Sequence, residues 1–246
     1  MTNSMRCCLK WPHIPIILLF FPIAFSQEQQ KQQAVPSHFQ ELNLKGVHGY
    51  KLVLKPHENS GFAFMDNSRK QHTAISIWDS GLYSFVLNGG YFEKDFSSEG
   101  FYKLNGIMIQ KKIRPERSGM LIIAPDGCLS IEHREDVDLN EAYSVLQSGP
   151  FVIDPGGKIG IYGRAPSDEP ANRTLIGMAW NGDIIILVFE KVRLFDLARL
   201  IHFQFPEIER LLNLDGGPST ALVSKAVRVG HPQTRVRNYI VKTQHQ

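Results

Sequence analysis

The segment LNLDGGPSTAL, residues 212–222, places one carboxylate where an apolar run stops. Asp215 is followed by Gly216 and Gly217, so a strand that ends there presents the carboxylate at the rim of a sheet. Because glycine has no Cβ, a ligand can approach the backbone closely and the N–H groups can point at an anion. Asp215 is therefore a candidate catalytic residue, with an ordinary Asx turn as the alternative interpretation.

The residues after these glycines favour a helix. Pro218 stiffens the exit from the turn, and Ser219 and Thr220 have side chains that cap helix N-termini. A helix starting there would direct the positive end of its dipole toward the carboxylate. We therefore expect a helix to follow these two hydroxyl residues.

A second segment, VLNGGYF at residues 86–92, repeats the pattern with an amide in place of the acid. Asn88 ends an apolar run and is followed by Gly89 and Gly90. Asn-Gly is also a common hairpin signal. The aromatic pair Tyr91 and Phe92 comes next, and such rings suit sugar faces as well as cores. This segment is a candidate part of the same rim.

Three further positions carry side chains that could act on a ligand. Arg173 stands before an apolar strand, and its guanidinium suits phosphate or carboxylate, although a solvated loop arginine has the same appearance. Ser148 and Gly149 precede another strand without forming a nucleophile elbow. Glu190 ends the run DIIILVFE, either as a site residue or as the first polar residue to reach water.

Other functional classes lack their motifs. The nine histidines are scattered without H-E-x-x-H or Cys/His pairing, so we predict no metal site. Phosphate-loop and dinucleotide-binding glycine patterns are absent, so we predict no cofactor. The formal net charge of +3 gives no argument for nucleic-acid binding. Cys128 lies far from the other two cysteines and is expected to be structural.

The N-terminus has the pattern of a secretory signal. Arg6 and Lys10 precede an apolar run at 14–25, and Ala24 and Ser26 are small residues at a spacing that suits cleavage after Ser26. We predict a signal peptide over 1–26, a flexible linker over 27–40 and one domain over 41–246. The mature protein is then secreted or periplasmic, without a membrane span, and only Cys128 survives cleavage, which excludes an intramolecular disulfide.

Short apolar segments broken by turn residues every ten or so positions predict an α+β fold. We expect one domain with a mixed, largely antiparallel sheet and few helices. Apolar spacing predicts a helix over 193–205 that ends before Pro206, and a short helix is expected within the segment RKQHTAISIWDSG, residues 69–81. The predicted strands are 50–54, 84–87, 106–110, 120–124, 129–132, 151–153, 175–180, 184–189, 211–214 and 236–241.

The order of several segments is more specific than any one of them. The chain resembles the phosphodiester glycosidase family from about Gly49 to Val241, and the NGG and NLDGG boxes are the most specific parts. The segments that carry the resemblance are NGGYF, NGIMI, SGMLIIAPDG, LQSGPFVID, NRTLIGMAWNGDIIILVFE, FDLARLI and LNLDGGPSTAL. The resemblance implies an α+β fold and hydrolysis of a sugar phosphodiester. With one mature cysteine, the chain matches only the catalytic-domain pattern of larger animal members.

The residues suit that chemistry, because a phosphate leaves as a stable anion and needs less help from a general acid than an alkoxide does. Asp215 is our candidate at the reacting carbon, with Glu190 as second carboxylate. Arg173 would hold the phosphate together with the N–H groups of Gly89–Gly90 and Gly216–Gly217. The groups expected to position the sugar are Asn88, Asn213, Ser148 and Gly149.

Two alternatives stay open at this point. The same rim could belong to a non-catalytic envelope protein that binds a glycan or an anionic polymer, which would need Arg173 and the aromatic rings but not Asp215. A calcium-binding polysaccharide module could use Asp215 and Glu190, but the chain lacks the dense acidic spacing of a calcium loop. The sequence makes no prediction of the oligomeric state.

Overall fold

The structure is a computed structural model that describes residues 38–244 except 164, 166 and 167. The predicted signal peptide and most of the predicted linker lie outside the described residues. Strand β1 begins at His38, so the last three positions of the predicted linker belong to a strand.

The described chain forms three antiparallel sheets and two α-helices, α1 (Ala74–Trp78) and α2 (Leu194–Gln204). The expectation of a largely antiparallel fold with few helices is confirmed, whereas the single mixed sheet is wrong: among the described strands every pair is antiparallel. In spatial order, the seven-stranded sheet consists of β1 (His38–Leu44), β2 (Val47–Leu54), β13 (Ile184–Val192), β12 (Ala171–Ala179), β14 (Ile208–Asn213), β10 (Phe151–Asp154) and β11 (Lys158–Ile159).

The other two sheets have five strands each. The second sheet consists of β16 (Arg228–Gly230), β15 (Ala221–Ser224), β4 (Tyr83–Asn88), β17 (Asn238–Thr243) and β3 (Phe62–Asp66). The third sheet consists of β6 (Ile107–Gln110), β5 (Tyr102–Leu104), β9 (Ser144–Ser148), β7 (Gly119–Ile123) and β8 (Leu129–His133).

Strand β13 shows why its sequence is an unbroken apolar run. Alternate side chains of a strand point to opposite faces. Ile184 and Ile186 join a core that is shared by all three sheets, while Ile185 and Leu187 pack in a second core under α2. A strand that is covered on both faces has no polar face, so its sequence does not alternate.

Helix α2 covers the outer face of the seven-stranded sheet with Leu197, Ala198 and Ile201. Its first turn is capped from a distant loop, because the Asp168 carboxylate accepts hydrogen bonds from two of the helix's backbone N–H groups, at 2.8 and 2.9 Å. A carboxylate at this end also suits the helix dipole. The predicted stop at Pro206 is confirmed, since the helix ends at Gln204.

The helix expected after Ser219 and Thr220 is wrong. A single 3-10 turn at Gly217–Ser219 leads directly into strand β15. The reason is tertiary, because β15 pairs with β4 in the second sheet and all four of its residues are buried there. Tertiary packing of this kind overrides a local capping signal. Within the described residues, no helix combines the length and the apolar character needed to cross a membrane.

Candidate active site

The two glycine-containing segments meet where strands of different sheets end. Strand β4 of the second sheet ends at Asn88, and β14 of the seven-stranded sheet ends at Asn213. Beyond these ends, the Asp215 backbone N–H donates to the carbonyl of Gly89 at 3.2 Å. The structure therefore brings NGG and DGG together at one junction, as the repeated pattern suggested.

Asn88 is the link that holds this junction. Its side chain is fully buried, and its Nδ2 donates to the Asp215 carbonyl at 2.8 Å. Its Oδ1 accepts from the Thr174 hydroxyl at 2.8 Å and from the Ala221 N–H at 3.0 Å. Both ends of the amide are thus used inside the protein. Asn88 positions the Asp215 backbone, and the predicted contact with a sugar hydroxyl is not supported.

Asp215 has an unusual electrostatic environment for an acid at the end of a strand. Burial raises the pKa of its carboxyl from 3.8 to about 6. Hydrogen bonds from the Ser219 hydroxyl and the Gly216 N–H, together with the positive charge of Arg117, oppose this rise, and Glu99 adds to it. Burial is the dominant cause because it disfavours the charged carboxylate. Such a group exchanges its proton near neutral pH, as acid–base catalysts do.

Tyr91 and Asn213 line the junction beside Asp215. The Asn213 Nδ2 donates to the Tyr91 hydroxyl oxygen, and burial raises the pKa of Tyr91 to about 12, so its phenol keeps its proton. Asn213 is almost completely buried, yet its Oδ1 accepts no hydrogen bond within the described part of the chain. A buried acceptor without a partner is rare and marks a place where a ligand or water can donate.

A charged cluster from two loops covers the same tyrosine. The Arg117 guanidinium lies over the Tyr91 ring, 3.5 Å from its centroid. One of its terminal nitrogens donates to Glu99 at 3.1 Å, and Arg114 donates to the Glu99 carbonyl, also at 3.1 Å. The Arg117 Nε is buried and has no hydrogen-bond partner among the described residues. The cluster thus combines an arginine and a second carboxylate next to Asp215.

Gln147 and Gly149 hold Arg117 in place. The Gln147 Nε2 donates to the carbonyls of Arg114 and Arg117, both at 2.8 Å, and its Oε1 accepts two backbone N–H groups. The Gly149 carbonyl accepts from the Arg117 guanidinium at 3.1 Å. Gly149 has φ 140°, and a Cβ there would lie 2.8 Å from the Ser118 nitrogen, so glycine is required. Gly149 therefore supports the arginine.

Three of the four glycine N–H groups that were predicted to hold a phosphate have partners within the protein. The N–H groups of Gly89 and Gly90 both donate to Asn238, at 3.0 and 2.8 Å. The Gly216 N–H donates to the carboxylate of the preceding residue, Asp215, at 2.9 Å. These three donors are occupied within the protein and cannot also face a phosphate. Gly217 has φ 57° and open space beside its Cα, so a ligand can approach the backbone closely there.

Ser148 and Arg173 also have internal partners. The fully buried Ser148 hydroxyl donates to the Asn213 carbonyl at 2.8 Å, which makes it a support for Asn213 and not a sugar contact. The Arg173 guanidinium pairs with Asp168 at 3.0 Å and donates to the Val192 carbonyl at 3.1 Å. Arg173 still lies beside Gly216, but its charge is neutralised by an acid that sequence reasoning did not include.

Glu190 lies in a different environment from Asp215. Its side chain is 49% exposed, and its carboxylate is 3.6 Å from the imidazole of His48, on strand β2. The charged side chains that shift the pKa of Asp215 are instead Arg117 and Glu99. Glu190 is the first polar residue to reach water at the end of its strand, and the structure does not support it as the second carboxylate. Among the described residues, no group of three or more His, Cys, Asp or Glu side chains is arranged to hold a metal ion.

Sequence reasoning missed Glu99, Arg117 and the supporting role of Gln147. One signal was available, since Arg117 stands just before strand β7 in the same way that Arg173 stands near the start of its own strand. Nothing local distinguishes Glu99 in the segment SSEGF from other surface acids. It becomes part of the site only through its pairing with two arginines of another loop.

Several solved structures share this fold. The catalytic domain of zebrafish N-acetylglucosamine-1-phosphodiester alpha-N-acetylglucosaminidase, auto-inhibited by its pro-peptide, superposes with a TM-score of 0.63 at 15% identity, covering 85% of this chain and 82% of that one. A hypothetical protein from Synechocystis has a TM-score of 0.58 at 13% identity, with coverages of 84% and 61%. At these identities the similarity establishes the fold.

A third similar structure comes from Burkholderia pseudomallei K96243 and is assigned to the exported proteins. It has a TM-score of 0.56 at 12% identity, covering 80% of this chain and 74% of that one. No curated protein has significant sequence similarity to the chain. The sequence model of the phosphodiester glycosidases matches residues 82–242, more than half of the chain, and includes both glycine-containing segments. The chain therefore belongs to the phosphodiester glycosidase family.

Proposed function

We propose that the protein hydrolyses a glycosyl-1-phosphodiester, in which a sugar is linked through its anomeric carbon to a phosphate diester. The observation that carries this proposal is the Asp215 carboxyl, whose pKa is raised to about 6 at a junction that also contains Arg117 and Tyr91. Membership of the phosphodiester glycosidases supports the reaction class.

The chemistry needs one reactive carboxylate and a group that stabilises the departing phosphate. Because the leaving group is a phosphate monoester anion, its departure requires less protonation than that of an alkoxide. With a pKa of about 6, Asp215 is largely ionised at neutral pH and still close to its neutral form. It can therefore attack the anomeric carbon or orient a water molecule toward it.

Two buried atoms without partners suggest where the substrate binds. The Arg117 Nε is a donor, and the Asn213 Oδ1 is an acceptor; both side chains contact Tyr91. A phosphate oxygen would satisfy the arginine, and a sugar hydroxyl would satisfy the asparagine. Arg117 replaces Arg173 as the main phosphate ligand, because the Nε of Arg117 has no partner among the described residues, whereas the Nε of Arg173 donates to the Val192 carbonyl. The Tyr91 phenol, which stays protonated, is a further donor to the substrate.

Glu99 replaces Glu190 as the second carboxylate in this proposal. It is only 18% exposed, pairs with Arg117 and raises the pKa of Asp215. Its pairing keeps Arg117 oriented over the tyrosine. Asn88 and Ser148 act behind the surface of the site, where they hold the Asp215 backbone and the Asn213 backbone in place.

We further propose that the reaction takes place outside the cytoplasm, on envelope or exopolysaccharide material that contains sugar phosphodiesters. The predicted signal peptide over residues 1–26 and the similarity to an exported protein support this location. A single catalytic domain over 41–246 is part of the same proposal, with its first strand extending back to His38.

The test is sugar release from a panel of glycosyl-1-phosphodiesters, including UDP-N-acetylglucosamine, by the unmodified chain and by three variants. We expect Asp215→Asn to lose at least 100-fold in kcat, as is typical when a catalytic carboxylate is removed. Glu190→Gln should keep full turnover. Asp154→Asn is the matched control, because burial also raises the pKa of Asp154 but it lies at the end of strand β10, outside the site.

Three outcomes would contradict the proposal. Full turnover by a folded Asp215→Asn chain excludes this carboxylate. A loss of turnover in Glu190→Gln alone would make Glu190 the catalytic carboxylate, although the sequence had placed it second. No sugar release from any member of the panel, together with direct binding of a glycan or an anionic polymer, assigns the junction to a non-catalytic envelope protein.

A further inference from the structure

The hairpin formed by β5 and β6 projects an apolar strand into solvent. Its two-residue turn consists of Asn105 and Gly106, with φ values of 49° and 79° that suit the tight turn. Three consecutive residues of β6 are exposed: Ile107 by 66%, Met108 by 39% and Ile109 by 40%. We call residues 102–113 the apolar hairpin.

Both faces of this strand are partly exposed. Successive side chains of a strand point to opposite sides, so the exposure of three in a row means that neither side of β6 is fully covered by the protein. Strand β6 also lies at the edge of the third sheet. Ile113 is 46% exposed, and Tyr143, whose carbonyl accepts from the Gly106 N–H at 2.7 Å, is 38% exposed. An exposed apolar edge strand is normally avoided unless it binds something.

Basic residues are concentrated in the hairpin itself. Residues 100–115 include four basic residues and no acid, whereas Glu99 and Glu116 bound this range and the exposed Glu141 lies two positions before Tyr143. Lys111 and Lys112 directly follow β6 and are exposed. Lys103 is not available, because its ammonium donates to the carbonyls of Leu139 and Asn140 at 3.1 and 2.8 Å. Two lysines next to exposed isoleucines form a cationic border for an apolar tip.

We propose that the apolar hairpin docks onto the surface of an anionic lipid bilayer. At such a surface, apolar side chains enter the boundary between headgroups and acyl chains, and lysines remain at the level of the lipid phosphates. This occupant covers both faces of β6 at once. A partner strand, or a second copy pairing along the edge, would satisfy the backbone of β6 but would leave the side chains above and below the sheet exposed. Tyr143 suits the same boundary.

The hairpin adjoins the candidate active site. Its Gln110 donates to the Ser98 carbonyl at 3.3 Å, next to Glu99. Arg114 follows the hairpin directly and contacts the Glu99 carbonyl. Docking would therefore place the site close to the bilayer. Resting on the proposed function, this placement implies a substrate class: a sugar phosphodiester whose other end is a membrane lipid.

The test measures cosedimentation of the protein, as secreted by its expression host, with vesicles of phosphatidylcholine alone or mixed equally with phosphatidylglycerol. We expect binding to the mixed vesicles, weakened about fivefold for each lysine replaced in Lys111→Gln/Lys112→Gln. Ile107→Ser/Ile109→Ser should lose at least about tenfold. Phe203→Ser and Lys158→Gln are matched controls on distant surfaces and should bind like the unmodified chain.

Sugar release from a water-soluble phosphodiester is measured in parallel and should be the same in all hairpin variants, so a failure of the proposed function is seen separately from a failure of docking. The docking proposal is overturned if the unmodified chain ignores both vesicle types, or if binding is unchanged in both hairpin variants. It is also overturned if sedimentation velocity shows self-association that disappears in Ile107→Ser/Ile109→Ser, since a second copy would then be the occupant.

Discussion

The raised pKa of Asp215 predicts a change in stability that can be measured without any substrate. Its pKa is about 6 in the folded protein, against an ordinary value of 3.8. Between these two values the folded state binds more protons than the unfolded state, so the contribution of this group to stability is complete below pH 4 and is lost as the pH rises through 6. Each pKa unit corresponds to about 1.4 kcal/mol, so the full loss is about 3 kcal/mol by pH 7.

The informative substitution is Asp215→Asn, because asparagine has the shape of the protonated acid and does not ionise. Its Oδ1 can still accept from the Gly216 N–H, and the neighbouring Ser219 hydroxyl still has a polar partner. We expect the free energy of unfolding of the variant to rise relative to that of the unmodified chain by about 2 to 3 kcal/mol between pH 4 and pH 7. The same variant should have lost its activity, which is a stability–activity trade-off.

The assay is urea unfolding, followed by circular dichroism, at one-unit intervals from pH 4 to pH 8. The quantity compared is the difference in unfolding free energy between the two chains, because other titrating groups cancel in it. Asp126→Asn is the control: hydrogen bonds from Cys128 lower the pKa of Asp126 below 3.8, so this carboxyl is ionised in both states from pH 4 upward and its difference should stay nearly flat. A difference for Asp215→Asn that stays flat, or shrinks as the pH rises, would refute the reasoning.

Two further substitutions test the groups around this carboxyl. Arg117→Lys keeps the charge but loses the planar donor set that reaches Glu99. We expect kcat/KM for a soluble phosphodiester to fall by about 100-fold, with little change in thermal stability. An unchanged kcat/KM would exclude Arg117 as the phosphate ligand. Asn88→Ala leaves the Asp215 carbonyl and the Thr174 hydroxyl without their buried partner. We expect the free energy of unfolding, measured with urea, to fall by about 3 kcal/mol. A fall of less than about 1 kcal/mol would mean that Asn88 does not link the sheets.

The sequence predicts the strands best where the apolar run is long and bounded by turns. The run that becomes β13 and the turn at Gly182 are of this kind, since both faces of the strand are covered and the glycine has φ 83°. Strand β9 is different, because its sequence SVLQS has two serines and a glutamine. All five of its residues are nevertheless buried, since Gln147 and Ser148 form hydrogen bonds inside the protein. Local composition does not record such partners.

Part of the candidate site can also be predicted from local sequence, and part cannot. The position of Asp215 follows from an apolar strand that stops at a carboxylate followed by glycines, which is a local pattern. The choice between Glu190 and Glu99 does not follow from local pattern, because each is an acid near the end of a short segment. Only the arrangement of distant segments pairs Glu99 with two arginines beside Asp215 and leaves Glu190 exposed next to His48.

The link between Asn88 and Asp215 has a consequence for the order of events during folding. It joins two sheets through residues that are 127 positions apart in the chain, and the Thr174 hydroxyl that completes it is 86 positions from Asn88. Strand pairs within the sheets also close large loops, since Asn88 of β4 pairs with Tyr239 of β17, 151 positions away, and the junction needs these sheets in addition to its own loop closure. The junction can exist only after both sheets have formed and met. Regained activity should therefore be the slowest signal in a refolding experiment, later than the recovery of β-sheet circular dichroism.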